Sequence, residues 1–220
     1  MIKRNYAPYR VALSIIIFFG GVYSIPYLNT YAQSLMITQS FVYSFISFVI
    51  LFLNYNLFSL HFARFVEQKD KLLFCFVGFL AFMIVYAINA FFLKLPFISI
   101  EQTSLQRYAL FIPFIVLTLS YFYTISYILV YKLLTDRLNI NNAEVKVIFV
   151  SSVIFSAILS IVSGFNMQVF DLNLCLSYFA LYMMVTLVVS YLYNQTGNLF
   201  VSIISMGTCI FICNCITWLI

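Results

Sequence analysis

The chain has 220 residues, of which 65% are hydrophobic, 20% aromatic and only 8% charged. A domain of this size with so few charged side chains would not stay in solution, which excludes an ordinary soluble enzyme. No basic run is long enough to follow a phosphate backbone, so the net charge of +5 does not indicate nucleic acid as a partner. The composition predicts one membrane domain, residues 1–220, in contact with a lipid bilayer.

Seven apolar stretches follow one another along the chain, and most are close to the ~20 residues with which a helix spans hydrocarbon. Each should be a helix, because backbone donors and acceptors cannot stay unpaired in lipid. The sequence therefore predicts an all-α fold, a polytopic transmembrane helical bundle of about seven spans. The predicted spans are 11–26, 35–60, 72–93, 108–131, 147–166, 173–193 and 199–220.

The basic residues predict the orientation of this bundle. Of the 11 Lys and Arg residues, only Lys94 and Arg107 fall outside when the N-terminus is placed in the cytoplasm. Positive charge collects in cytoplasmic loops, which predicts an N-in, C-out topology with 62–72 and 132–146 as cytoplasmic connections. Richness in Ile, Phe, Asn and Tyr is typical of an AT-rich bacterial genome, so we expect a multi-pass protein of a bacterial plasma membrane.

Polar side chains within the spans are the next candidates for function, since burying them in lipid is costly. His61, the only histidine, is expected near Arg64 at the cytoplasmic edge, where it would be solvated. All six acidic residues lie in or beside loops, which disfavours a proton-coupled transporter or an intramembrane metal site. The fourth span carries hydroxyl groups on one face that either line a pocket or hydrogen-bond between helices. These residues are Thr118, Tyr121, Thr124, Tyr127 and Tyr131.

The 5 cysteines do not form a disulfide framework. Cys209 and Cys213 are four residues apart and share a helix face, which suits either packing or a pair for metal or redox chemistry. No histidine and no Cys-x-x-Cys spacing accompanies them, so packing is favoured. The sequence predicts no metal and no cofactor.

The C-terminal half contains a motif with a known counterpart. The best match is the run Tyr193-Asn194-Gln195-Thr196-Gly197-Asn198-Leu199. It resembles the Tyr-x-x-Thr-Gly-(Ser/Asn)-Leu turn of the CPBP family, the CAAX-protease and bacteriocin-processing membrane proteins also called Abi. In that family the helix after the turn carries a metal-binding His at its eighth residue, counting the Leu as one.

Two further segments share the family's order and spacing. Tyr131 and Lys132 stand where the family has Phe-Arg, and Leu138 closes that helix as a Leu does in the family. Phe155 and Leu159 stand at the ends of the family's Phe-x-x-x-His. The resemblance defines a CPBP-like core over 108–220, whereas the divergent N-terminal spans, 1–107, carry no recognisable signature.

The resemblance implies a site in which two carboxylates, two histidines and an Asn activate water against a peptide bond. Every one of these positions is replaced in this chain. The carboxylate pair falls on Tyr127 and Ile128, the histidines on Leu159 and Met206, the Asn on Ile210, and the Arg on Lys132. Leu, Met and Ile cannot hold a divalent ion or transfer a proton, so a pseudoenzyme without catalytic residues is expected.

A family member without catalytic residues is expected to act by binding another membrane protein. It would be either a bacteriocin immunity protein or a scaffold that positions or regulates a membrane enzyme or transporter. The preferred helix-contact face is a serine stripe on the fifth span, Ser152, Ser156 and Ser160, within the bundle or with a partner. Gly78 with Ala81 would permit a second close helix contact.

Two alternatives stay open. The first is a small transporter or channel subunit lined by the Tyr/Thr face of the fourth span, although no intramembrane charge supports it. The second is an active intramembrane peptidase with an unfamiliar residue set, in which Cys209 or Cys213 would be the nucleophile. Neither cysteine has a base nearby in the sequence.

Overall fold

The computed structural model is helical throughout the part of the chain that it describes. Outside short turns every described residue is in a helix, and none of them is in a strand, which confirms the all-α prediction. The described residues are 9–10, 12–18, 20–21, 39–95, 116–117, 119–121, 123–125, 127–128, 144–165 and 172–219. Helices with full bounds are α1 (Gln39–Leu53), α2 (Tyr55–Glu67), α3 (Lys71–Ile88), α4 (Glu144–Phe165), α5 (Leu172–Thr196) and α6 (Leu199–Leu219).

Two helices among the described residues are long and apolar enough to cross a membrane. They are Lys71–Leu93, in which a π-helical turn extends α3, and Leu172–Thr196. Their mean hydropathies are 2.4 and 1.9, and the bent pair α1–α2 makes a third if it counts as one span. Helices α4 and α6 contain shorter apolar stretches. The described residues thus support two or three spans, and the count of seven stays a prediction.

The structure differs from the prediction of a span over 35–60 followed by a loop over 62–72, since the helix bends within the first and continues into the second. Helix α1 ends before Asn54, and α2 continues to Glu67 at 88° to it. The Nδ2 of buried Asn54 donates to Ser14 Oγ at 2.9 Å and to Ile50 O at 3.1 Å. A side chain that bonds its own preceding turn competes with the helical ladder, which places the break at this residue.

The four predicted segments 72–93, 147–166, 173–193 and 199–220 agree with α3 to α6 within a few residues. The differences lie at the helix ends. Helix α4 begins three residues before its predicted span, α5 ends three residues after its predicted span, and α3 reaches residue 93 only with its π-helical turn. Polar residues complete the last helical turns, so an apolar run marks the centre of a helix better than its ends. The predicted spans 11–26 and 108–131 are described only in part.

The helices pack in pairs, with α4 against α5 and α3 against α6, while α5 also contacts α3 and α6. Phe82 of α3, Val189 of α5 and Met206 of α6 are fully buried in the shared core. Large apolar side chains also cover the outside of α3, including Phe76 and Leu80. Helices that are apolar all round are typical of membrane bundles.

Candidate functional site

A tight turn joins α5 to α6 and organises the polar residues of the CPBP-like motif. Only Gly197 and Asn198 lie outside the two helices. Gly197 has a φ of 60°, a left-handed conformation that glycine adopts without a Cβ clash, and its N–H donates to Tyr193 O at 2.7 Å. Asn198 Oδ1 accepts a bond of 2.9 Å from Phe200 N, which caps the start of α6.

Two other parts of the chain bring polar side chains to this turn. From the segment 116–128, the Tyr127 hydroxyl donates to Asn194 Oδ1 at 2.7 Å, and the Tyr127 ring packs edge-on against Tyr193. From α2, the His61 ring lies 6.0 Å from that of Tyr193 and contacts the Gly197 backbone. We name this group the turn cluster, with the members His61, Tyr127, Tyr193, Asn194 and Asn198.

The structure corrects the expectation that His61 is solvated, since only 3% of it is exposed. Because α2 continues to Glu67, His61 lies within a helix and faces the bundle, while Arg64 points outward. Its Nδ1 has no hydrogen-bond partner in the part of the chain that the structure describes. The amphipathic pattern of α2 indicates this placement. The apolar run of α1 continues into α2, however, so the sequence does not show where the new helix begins.

Three buried hydroxyl groups lie about one turn deeper than the turn cluster. Thr124 precedes Tyr127 by three residues, Ser190 precedes Asn194 by four, and Ser202 follows Asn198 by four. Each hydroxyl therefore lies on the same helix face as its reference residue, about 5–6 Å further into the bundle. Thr124, Ser190 and Ser202 form what we name the hydroxyl layer.

The hydroxyl layer differs from the other serines and threonines in its hydrogen bonds. Ser152 donates to Ile148 O and Thr196 to Leu192 O, one turn back on their own helices. Among the described residues, none accepts from or donates to the hydroxyls of the layer, although all three are buried. Buried polar groups normally have a partner, so three buried hydroxyls without a described one are an unusual feature of this bundle.

The positions that the resemblance assigns to catalysis do not meet at one point. Met206 Sδ lies 3.7 Å from Ser120 Oγ, whereas Tyr127, seven residues after Ser120, contacts the turn at Asn194. Met206 lies seven residues beyond Leu199, and about 10 Å of helix therefore separates it from the turn. The fold brings Tyr127 to the end of the α5–α6 pair and Met206 to its middle.

The remaining family positions are apolar and buried. Ile128, Leu159 and Ile210 belong to the hydrophobic core. Lys132 lies outside the described residues, as do Thr118 and Tyr131 of the hydroxyl face. Among the residues that the structure describes, no three His, Cys, Asp or Glu side chains converge. The residue types at these positions supply no nitrogen or oxygen ligand for a hydrolytic metal ion.

The serine stripe of α4 lies in its contact with α5. Ser156 is fully buried, and its Oγ lies 3.5 Å from Thr186 Oγ1. One turn further along α4, the Ser160 carbonyl accepts a bond from the thiol of Cys175 on α5. The stripe is therefore occupied by the bundle itself.

The cysteine pair has a neighbour that the sequence did not indicate. Cys209 Sγ and Cys213 Sγ are 4.0 Å apart, and Cys213 Sγ lies 3.7 Å from Met83 Sδ on α3. None of Cys75, Cys175, Cys209 and Cys213 is in a disulfide. Met83 is 130 residues away in the chain, and a methionine in an apolar span carries no sequence signal of its own.

No protein-family model, no curated protein and no solved structure matches this chain.

Proposed function

We propose that the chain is a seven-span, N-in and C-out protein of a bacterial plasma membrane that acts as a scaffold for another membrane protein. It would be a non-proteolytic relative of the CPBP family. The observation that carries this proposal is the apolar outer surface of α3 and of the π-helical turn after it, on which Phe76, Leu80 and Phe91 are all exposed. Exposed apolar surface of this kind contacts lipid or another protein.

The residues at the family's catalytic positions support a role without hydrolysis. Leu159, Met206 and Ile210 are buried in the core and offer no group that activates water. Tyr127 is committed to its bond with Asn194. We therefore expect purified protein to hold no zinc at these positions and to cleave no peptide.

Between the two versions of a binding role, the scaffold is favoured over bacteriocin immunity. The described loops are short, as in the turns at 68–70 and 197–198, so contact with a partner would run through helix faces within the bilayer. Small and apolar surfaces pack well against other membrane helices.

The second candidate function is a small transporter or channel subunit. The hydroxyl layer favours it, because buried hydroxyls without described partners are suited to hold water or a small polar solute. Tyr121 and Thr124, from the face for which the sequence left open a pocket lining or a contact between helices, are buried. A solute path would depend on Thr124, Ser190 and Ser202, and a scaffold would not.

Site-specific photo-crosslinking in cells tests the scaffold proposal. A crosslinking residue at exposed Phe76 should join the chain to one recurring membrane protein, and the same residue at buried Phe82 should give no such product. The product should disappear when the apolar surface is disrupted by Leu80→Ser. Crosslinks from Phe76 to lipid alone would contradict the proposal.

Reporter fusions test the proposed topology, and elemental analysis tests the proposed lack of proteolytic activity. Fusions at Lys69 should report the cytoplasm, and fusions after Ile220 should report the outside, while the reverse result would refute the topology. Zinc bound at one ion per chain that is lost on Met206→Leu would refute the non-proteolytic assignment. Loss of function in Ser190→Ala and Ser202→Ala, with crosslinking unchanged, would favour the transporter.

A further inference from the structure

One cysteine thiol contacts two other sulfur atoms between α3 and α6. Cys209 and Cys213 are one turn apart on the same face of α6, which sets their Sγ atoms 4.0 Å apart. Met83 approaches from α3 with its Sδ 3.7 Å from Cys213 Sγ. Two helices thus bring Cys213 next to a second thiol and to one thioether.

The surroundings of these sulfur atoms exclude bulk water. Cys209 and Cys213 are buried in the core, and Met83 packs against it.

We propose that Cys209, Cys213 and Met83 form a binding site for a soft monovalent metal ion of the copper(I) type. Thiolate and thioether sulfur are the ligands that select Cu(I) among the biological metals. Three ligands at metal–sulfur bonds of about 2.3 Å in a trigonal arrangement would be about 4.0 Å from one another. The separations of Cys213 Sγ from Cys209 Sγ and from Met83 Sδ, 4.0 and 3.7 Å, are close to this value, and binding would bring Cys209 and Met83 to the same separation.

Binding is a ligand exchange without a change of oxidation state. Cu(I) is transferred from a soluble chelate: the bonds from copper to the chelator break, and each cysteine thiolate forms a bond to copper. The two thiol protons leave with the departing chelator to the solution. The Met83 thioether donates a lone pair and loses no proton. Zinc is disfavoured, since structural zinc sites take four ligands from cysteine, histidine and carboxylate.

The site is independent of the proposed scaffold role, because it uses none of the residues on the outer face of α3. It uses none of the family's catalytic positions, although Met206 and Ile210 are neighbours of the cysteines on α6. Conventional packing explains the burial of each sulfur alone, but it does not require that Cys213 contact two other sulfur atoms. Metal binding is a use of these contacts that can be measured.

A competition titration tests the proposal with the full-length protein in detergent, under reducing and anaerobic conditions. Cu(I) is supplied as its complex with a coloured chelator, and transfer to the protein is read from the loss of colour. We expect about one Cu(I) per chain and a new thiolate-to-copper absorption in the ultraviolet. Zn²⁺ in excess should not displace it.

Matched variants separate this site from the other cysteines. The double variant Cys209→Ser with Cys213→Ser should lose the transfer, although Cys75, Cys175 and Cys215 remain. Cys175→Ser should bind as the unmodified protein does. Met83→Leu, which keeps side-chain volume, should bind more weakly and tests the site even where the double variant fails to fold. Absence of transfer to the unmodified protein would overturn the proposal. So would transfer to Met83→Leu and to the double variant that equals transfer to the unmodified protein.

Discussion

The α4–α5 pair and the α3–α6 pair both bring two helices close together, but with different side chains. Between α4 and α5, the hydroxyls of Ser152 and Thr186 bond to carbonyls of their own helices. The bonds that cross, Ser156 Oγ to Thr186 Oγ1 and Cys175 Sγ to Ser160 O, are both long at 3.5 Å, so the contact depends mainly on shape. Between α3 and α6, Ser205 Oγ bonds to Val201 O of its own helix at 2.7 Å and also reaches across to Cys75 O at 3.1 Å, directly beside Gly78. The first contact should tolerate the loss of a hydroxyl but not added bulk, and the second should tolerate neither.

The cross-helix bond of Ser205 also explains the position of the sulfur cluster. Cys209 lies one turn after Ser205 on the same face of α6. The bond from Ser205 to Cys75 favours one rotation of α6 against α3, and this rotation is the one that brings Cys213 near Met83. The bonds that cross between α4 and α5 are longer, at 3.5 Å.

The largest effect is expected at the α4–α5 contact. Ser156→Leu places a longer, branched side chain where Ser156 Oγ lies 3.5 Å from Thr186 Oγ1. Overpacking of this kind costs about 3 kcal/mol, the upper end of the usual range. Thermal unfolding in detergent, followed by helical circular dichroism, should show a clear loss of stability. Ile158→Leu, on the exposed side of α4, is the control, and equal midpoints for the two variants would contradict the shape argument.

The second effect is expected at Gly78. A Cβ there would lie 2.5 Å from Ser205 Oγ, 2.8 Å from Ser205 Cβ and 2.7 Å from Leu192 Cδ1. Gly78→Ala should therefore destabilise by about 2 kcal/mol, because α3 must move away from α6. It should also weaken Cu(I) transfer, since that movement separates Met83 from the cysteines.

Gly207→Ala is the matched control for Gly78→Ala. Its Cβ would meet Val116 Cγ1 at 3.7 Å, an ordinary contact. Alanine in a helix is favoured over glycine by about 0.5–1 kcal/mol, so this variant should be neutral or slightly more stable. A loss of stability at Gly207 equal to that at Gly78 would show that the effect is not steric.

The sequence predicted the elements of the fold better than their contacts. The apolar runs gave α3 to α6 because a helix in an apolar run needs no partner to be recognised. The run 35–60 did not indicate the bend, since it continues through Asn54, whose side chain bonds both to Ile50 O in the preceding turn and to Ser14 Oγ. The bond to Ser14 joins residues 40 apart in the chain, beyond the reach of local periodicity.

The candidate site was predictable only where neighbours in sequence are neighbours in space. The Thr-Gly turn and the Cys209/Cys213 face both follow from helix geometry. His61 and Met83 were placed by tertiary packing, and their positions depend on how α2 and α3 meet α5 and α6. The proposed partner role is a property of the outer surface, and no spacing within the chain predicts it.

A third effect compares one hydroxyl from each pair. Ser205→Ala removes the bond to Cys75 O and should cost about 1 kcal/mol. Ser152→Ala removes a bond to Ile148 O on its own helix and should change stability little, since the carbonyl keeps its helical partner. The difference between the two unfolding midpoints measures the directional part of the α3–α6 contact. Equal midpoints would mean that both contacts depend on shape alone.

The smallest effect is expected at Tyr127. Tyr127→Phe removes the donor to Asn194 Oδ1 and keeps the ring against Tyr193, so the cost should be about 0.6 kcal/mol, as for other hydrogen bonds between membrane helices. A double-mutant cycle with Asn194→Ala isolates that bond, and a coupling near zero would contradict it.

The same variant decides between a scaffold and a pocket in cells. A scaffold needs only the helix surfaces, so Tyr127→Phe should keep full function at normal expression while Ser156→Leu, which separates α4 from α5, should lose it. The opposite pattern would mean that the Tyr127 hydroxyl itself is used. The hydroxyl layer, one turn deeper than Tyr127, would then be the place to seek a bound solute, because its buried hydroxyls lack partners among the described residues.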